Sequence, residues 1–213
     1  MCLRHVRTAV CDWNGTLIND LPLVYESVKL IFSTFGLPAP TLREYREEMS
    51  QEWVNFYLNH GIPPGDGVEE LKKTLNGIRK GYFESHWDSV ELHSDAINSL
   101  SLFKARGMKV LLVTGEVEEV VERRLQQFNL TQFFDGVFGG AYRKNEILAR
   151  LDLLPEESMY TDDDPMGLRG AKELGFVTVG MTHGYASEKR IRDANPDFVA
   201  NNFAEVIEFM KKD

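Results

Sequence analysis

The segment "AVCDWNGTLIND" (9–20) sets a carboxylate, Asp12, at the end of an apolar run and turns the chain directly afterwards at Gly15-Thr16. Three later segments supply residue types that could work with it. "KVLLVTGE" ends a second apolar run in Thr114-Gly115, "YRKNEIL" carries Lys144 ahead of a helical pattern, and "SMYTDDDP" ends a further run in Asp162, Asp163 and Asp164. A carboxylate can attack phosphorus to form an aspartyl-phosphate that water then hydrolyses. Two anions approach each other only with help, so a Mg²⁺ held by oxygen ligands must bridge them, with Asp12 and Asp163 as its natural carboxylate ligands. The Thr114 hydroxyl, nearby backbone N–H groups and the Lys144 ammonium would hold and neutralise the transferring oxygens. Taken singly, these are a turn aspartate, a helix-capping threonine and a solvated lysine. Their order along the chain is what joins them.

The elements that must position them can be read from the pattern. Six β-rich runs stand out: 8–13, 109–114, 136–139, 158–163, 176–181 and 197–200. Amphipathic segments lie between most of them, such as 117–130, with Val117, Val120, Val121, Leu125 and Phe128 on one side. Strands alternating with helices predict an α/β fold, a parallel sheet covered on both faces in three layers. Ligands of such sheets bind beyond the carboxyl ends of the strands, where all of the residues above fall. Residues 17–90 break the alternation with several helical patterns and no convincing strand, punctuated by "GLPAPT" and "GIPPGDG". The organisation expected is a core of residues 1–16 and 91–213, with a helical cap, 17–90, inserted after the first strand.

Composition narrows the partners. Hydrophobic residues at 43% and charged residues at 27% are ordinary for a soluble globular chain. A net charge of -9 over 213 residues opposes a nucleic-acid partner, while leaving room for a small anion inside a locally reversed field. No apolar run is long enough to span a membrane, and "MCLRHVRTAV" does not read as a signal peptide, so a cytoplasmic location is expected. Cys2 and Cys11 give no disulfide framework, and Cys11 reads as core. His5, His86, His93 and His183 lack the spacing of a zinc site.

On these motifs the chain resembles the haloacid dehalogenase superfamily, in the group with a helical cap that includes phosphoglycolate phosphatases and β-phosphoglucomutases. "DWNGTL" is similar to the first motif of that family, "LLVTG" to the second, Lys144 in "YRKNEIL" to the third and "YTDDDPMGLRGAKELG" to the fourth. The resemblance implies a Rossmann-like core. It also implies Asp12 as nucleophile and Mg²⁺ ligand, Asp163 as a further ligand, and Thr114 and Lys144 as phosphate-binding residues. Gly115, Asn14 and the backbone N–H of Trp13 are expected to contact the same phosphate. The cap would close over the site and select a small phosphorylated metabolite, in a monomer or a homodimer.

Two departures qualify the resemblance. Asn14 stands where the family's phosphatases carry a second aspartate, which protonates the leaving oxygen and activates water. The Asn14 backbone carbonyl can still ligate the metal, but its amide cannot exchange a proton, and losing a general acid costs about 10²–10⁴-fold in rate. The second departure is Gly167, at the later acidic position of the fourth motif. Asp162 and Asp164 flank Asp163 and could compensate, although Asp164 before Pro165 fits a helix N-cap equally well. Glu116 could replace the missing proton donor or be a first-turn acid favoured by the helix dipole. The expectation is therefore a slow or specialised phosphohydrolase. The alternatives are phosphonatase-like C–P hydrolysis using a cap lysine (Lys29, Lys72, Lys73 or Lys80), metal-free dehalogenation, or binding with little turnover. In the cap, Trp53, Phe56, Tyr57 and His60 share one helical face, which predicts internal packing rather than substrate contact. The same is expected of Tyr82, Phe83 and Trp87.

Overall fold

Four successive buried residues, Thr8–Cys11, form β1, with no polar face left for water, as befits a strand covered on both sides. The structure is a computed structural model and describes residues 3, 5–140 and 143–211; Cys2, and Tyr142 of the Lys144 segment, lie outside them. After β1 come a two-residue strand, β2 (Ile18–Asn19), and four helices: α1 (Leu21–Thr34), α2 (Leu42–Glu48), α3 (Trp53–Asn59) and α4 (Val68–Ser85). A second two-residue strand, β3 (Glu91–Leu92), pairs with β2. Strands and helices then alternate: α5 (Ala96–Ala105), β4 (Lys109–Val113), α6 (Glu118–Gln127), β5 (Gly136–Phe138), α7 (Lys144–Leu148), β6 (Ser158–Asp162), α8 (Pro165–Glu173), β7 (Val177–Met181), α9 (Glu188–Asp193), β8 (Phe198–Ala200) and α10 (Phe203–Lys211).

The main sheet is parallel, in the order β5-β4-β1-β6-β7-β8. From β1 the chain builds outward through β4 and β5 on one side, then through β6, β7 and β8 on the other. The strand order therefore reverses at β1, the place where open α/β sheets leave a crevice for ligand. Register fixes what reaches that crevice. Cys11 lies opposite Leu112 of β4 and Thr161 of β6, so the residues next along these three strands emerge together. All six strands foreseen in the sequence are present, each within one or two residues of the expected limits. The pair β2–β3 was not foreseen, because two-residue strands carry no periodicity to read.

Contacts divide the chain into two units, residues 1–19 with 92–213, and residues 20–91. In the second unit the aromatic face of α3 packs internally. Phe56 and Tyr57 are buried, with the Phe32 ring 6.3 and 5.7 Å from theirs, and Trp53 meets Tyr57 edge-on. Its helix α2 starts with a capping box, in which the Thr41 hydroxyl accepts from the Glu44 N–H and the Glu44 carboxylate accepts from the Thr41 N–H. One element of the first unit departs from its sequence pattern. Val117 is 53% exposed as the residue before α6, whereas Arg124 is buried on that helix and donates to Gln127. The apolar stripe thus begins a turn later than the spacing implied. Among the described residues, no helix is long and apolar enough to cross a membrane.

Helix α9 presses so closely on the sheet that a Cβ added at Gly180 of β7 would lie 2.4 Å from Ile191 Cγ2. Gly180→Ala is expected to cost about 1–3 kcal/mol through overpacking, read as a lower urea midpoint with unchanged m-value. An unchanged midpoint would show that α9 yields freely.

Candidate active site

Three carboxylates and one ammonium meet where β1 and β6 end. Asp12, one residue past β1, is buried and accepts a hydrogen bond from the Trp13 backbone N–H. Lys144 opens α7 and brings its Nζ within 2.7 Å of Asp12 Oδ1 and 3.0 Å of Asp162 Oδ2. Asp162, the last residue of β6, is fully buried. It also accepts from the Tyr160 hydroxyl at 2.5 Å and from the Asp164 N–H at 2.9 Å. Asp163 turns to the other side, where the Thr16 hydroxyl donates to its Oδ1 at 2.9 Å and the Tyr185 N–H donates to its Oδ2 at 2.6 Å. One oxygen from each of Asp12, Asp162 and Asp163 lies within 4.8 Å of the others.

Glycines make this approach possible. An added Cβ would fall 2.5 Å from Asp163 Oδ2 at Gly15, whose φ of +72° also suits glycine, and 2.1 Å from the same oxygen at Gly184. At Gly167 it would fall 2.1 Å from Asp162 Oδ2. The Asp162 carboxylate thus fills the space beside the position where the sequence lacks its expected acid.

The charges do not balance. Among the described residues, three buried carboxylates face one ammonium, and the deficit is one that a divalent cation cancels. Burial raises the Asp12 pKa to about 6; Lys144 works against that shift and Asp163 adds to it. Asp162 and Asp163 are raised as well, chiefly by burial; the neighbouring carboxylates Asp12 and Asp162 respectively add to this, and Lys144 opposes it in both. Burial disfavours the Lys144 ammonium, but the Asp12, Asp162 and Asp164 carboxylates outweigh it and push its pKa up. An all-oxygen donor set of this charge fits a hard cation such as Mg²⁺. The cluster leaves out Asp164, whose Oδ1 instead accepts from the Met166 N–H and caps α8 ahead of Pro165.

The remaining expected residues fall as follows. Thr114 is buried beyond β4; its hydroxyl oxygen accepts from the Glu116 N–H, leaving its own proton to donate. Gly115 is exposed beside it. Asn14 is half-buried and bridges to Ile18. The Trp13 indole is core, while the Trp13 backbone N–H serves Asp12 and its backbone carbonyl accepts from Leu17 and Ile18. The Glu116 carboxylate accepts from the Val117 N–H, but Glu116 precedes the N-cap of α6, so it is not the first-turn acid expected; Glu118 and Glu119 hold that place. Sequence reading missed Thr16, Gly184 and Tyr185. The last two follow β7, so the rule that pointed to the ends of the other strands would have found them.

Comparison with known proteins identifies the family to which the fold belongs. The family model described as haloacid dehalogenase-like hydrolase matches residues 10–181. The chain is 24% identical to phosphoglycolate phosphatase 1 of Pseudomonas aeruginosa, covering 96% of this chain and 79% of the relative. It is 22% identical to a phosphoglycolate phosphatase of Aliivibrio fischeri, over 93% of both. Among solved structures it is similar in fold to a predicted phosphoglycolate phosphatase from Haemophilus somnus, with a TM-score of 0.76, 19% identity and coverage of 96% and 97%. A haloacid dehalogenase-like family hydrolase of Streptococcus pneumoniae superposes with a TM-score of 0.73 at 17% identity, covering 96% and 98%.

Because the folded-state pKa of Asp12 lies above its ordinary value of 3.8, the folded protein holds that proton more tightly than the unfolded chain. Its contribution to stability therefore falls as pH rises from about 4 to about 6, and a bound cation, which needs the carboxylate ionised, restores it. The rise in Tm on adding Mg²⁺ is expected to be larger at pH 7 than at pH 5. A rise that is equal at both, by differential scanning fluorimetry, would count against cation binding at this cluster.

Proposed function

This chain belongs to the haloacid dehalogenase-like hydrolase family, and on that footing we propose that it is a Mg²⁺-dependent phosphohydrolase acting on a small phosphorylated metabolite in the cytoplasm. The observation that carries the proposal is the buried Asp12–Asp162–Asp163 cluster with Lys144 against Asp12, at the reversal point of the sheet. The phosphoglycolate phosphatases among its relatives support the same class of substrate.

In the proposed reaction a carboxylate oxygen of Asp12 attacks phosphorus, the bond from phosphorus to the leaving oxygen breaks, and an aspartyl-phosphate forms. Water then attacks that phosphorus and returns the Asp12 carboxylate with free phosphate. Asp12, Asp163 and the Asn14 carbonyl would hold Mg²⁺, with Asp162 completing the acidic set in place of Asp164. The cation supplies charge neutralisation for the attacking carboxylate and the phosphate. Lys144 keeps Asp12 aimed and neutralises phosphate oxygens, Thr114 donates its free proton to one of them, and the Gly115 N–H lies in the same loop. The leaving oxygen receives no proton from Asn14, an amide. Substrates with a good leaving group, an acyl phosphate or a pyrophosphate, therefore suit this site better than an alkyl ester.

Phosphonatase-like chemistry needs an uncharged cap lysine as nucleophile. Lys29, Lys72, Lys73 and Lys80 each pair with a carboxylate one turn along their helices, so none of them is set apart as that nucleophile. Metal-free dehalogenation accords poorly with three carboxylates gathered around one ammonium.

Phosphate release decides the matter. With Mg²⁺, an acyl phosphate should turn over faster than a sugar phosphate of similar size, and Asp12→Asn should abolish both. Asn14→Asp should raise kcat/KM for the sugar phosphate by about 10²–10⁴-fold. If Asn14→Asp stays at background, the reading of a site weakened only by its missing acid fails.

A further inference from the structure

Two histidines distant in sequence, His93 after β3 and His183 after β7, stack with ring centroids 3.8 Å apart and planes 21° from parallel. His183 directly precedes Gly184 and Tyr185, which close on Asp163. Its Nδ1 lies 2.9 Å from the Asn201 carbonyl oxygen, and its Nε2 lies 3.1 Å from the Thr16 carbonyl oxygen. Carbonyl oxygens only accept, and a neutral imidazole carries a single N–H. Both contacts can be hydrogen bonds at once only if both ring nitrogens are protonated.

His93 suits the opposite state. A ring N–H of His93 donates to the Gly15 carbonyl, and its Nε2 is buried with no hydrogen-bond partner among the described residues. Burial, and next the charge of His183, lower its pKa to about 4, opposed by Asp95 and the Gly15 carbonyl. Asp95 is itself engaged, accepting from the Ala204 N–H, and the Phe203 ring lies 6.5 Å from His183. His93 is thus the neutral member of the stacked pair. Around it, three successive carbonyls of the loop that follows Asp12 are held: Gly15 by the His93 ring, Thr16 by His183, and Leu17 by the His93 backbone N–H.

We propose that His183 is a positioning residue for Asp163, acting as an imidazolium that ties the Thr16 carbonyl to the Asn201 carbonyl and so fixes the Thr16 hydroxyl and the Tyr185 N–H on the two Asp163 oxygens. Asn201 is a firm anchor for this tie. Its side-chain oxygen accepts from the Thr182 hydroxyl, and its side-chain NH₂ donates to Glu205. The inference rests on Asp163 being a metal ligand in the proposed function, but the charge state of His183 is independent of any reaction.

Nitrogen-detected NMR of the full chain, labelled at histidine, reads that charge state directly. At pH 7 and without metal, both ring nitrogens of His183 should be protonated while His93 is neutral. One unprotonated nitrogen on His183 at that pH would overturn the proposal. In the folded His183→Gln variant, the Kd for Mg²⁺ measured by calorimetry should rise by about 10–100-fold, the usual effect of removing a group that orients a ligand. Unchanged Mg²⁺ affinity would overturn the positioning role. A wild-type protein that shows the imidazolium but binds no Mg²⁺ would uphold the tie and count against the phosphohydrolase instead.

Discussion

Three carboxylates held within 4.8 Å of one another, with one ammonium among them, repel each other wherever water is excluded. Much else in the first unit can be understood as the means of holding that arrangement. Each carboxylate is anchored by donors: Asp12 by Trp13 and Lys144, Asp162 by Tyr160, Lys144 and Asp164, Asp163 by Thr16 and Tyr185. The donors come from different strands and loops, so the parallel sheet must set their register before any of them can act. A fold that spends stability on such a cluster is typical of a functional site rather than of a structural one.

The glycines at 15, 167 and 184 express the same constraint in steric terms. Each stands where an added Cβ would meet a carboxylate oxygen, so the loops at 15 and 184 and the first turn of α8 at 167 can close on the acids only without side chains there. Gly167 and Asp162 are a complementary pair. The carboxylate missing from the first turn of α8 is matched by one at the end of β6 that occupies the adjoining space. Asp162 thus sets a buried carboxylate beside the position in α8 where this chain carries none.

Much of this was legible in the sequence because it is written in local patterns. Apolar runs ending in Asp12, Thr114 and the Asp162–Asp164 cluster specified the strands and what lies at their ends, and "TLREYREEM" and "SQEWVNFYLNHG" announced helices that the structure contains. Which of the flanking acids turns inward was not legible. Asp162 and Asp164 differ only in side-chain direction, set by strand pleat and by the cap on α8, and neither effect leaves a mark in spacing. Val117 misled for a similar reason, since a helical period cannot tell the residue before a helix from the first residue within it. The His93–His183 stack was invisible because the two residues belong to distant loops that only the sheet order brings together.

In the proposed reaction, Asn14 would leave the Asp12 nucleophile intact and take away the proton that helps a poor leaving group depart. The two consequences separate in time: formation of the aspartyl-phosphate from a good leaving group proceeds, while its hydrolysis, which lacks a base, is slow. The intermediate should accumulate. Rapid acid quench of the protein with Mg²⁺ and an acyl phosphate, followed by mass spectrometry of the peptide containing Asp12, tests this directly. The account predicts one phosphate on Asp12, absent from Asp12→Asn and from the chelated sample. Phosphate release with no adduct, or an adduct on any other residue, would contradict it.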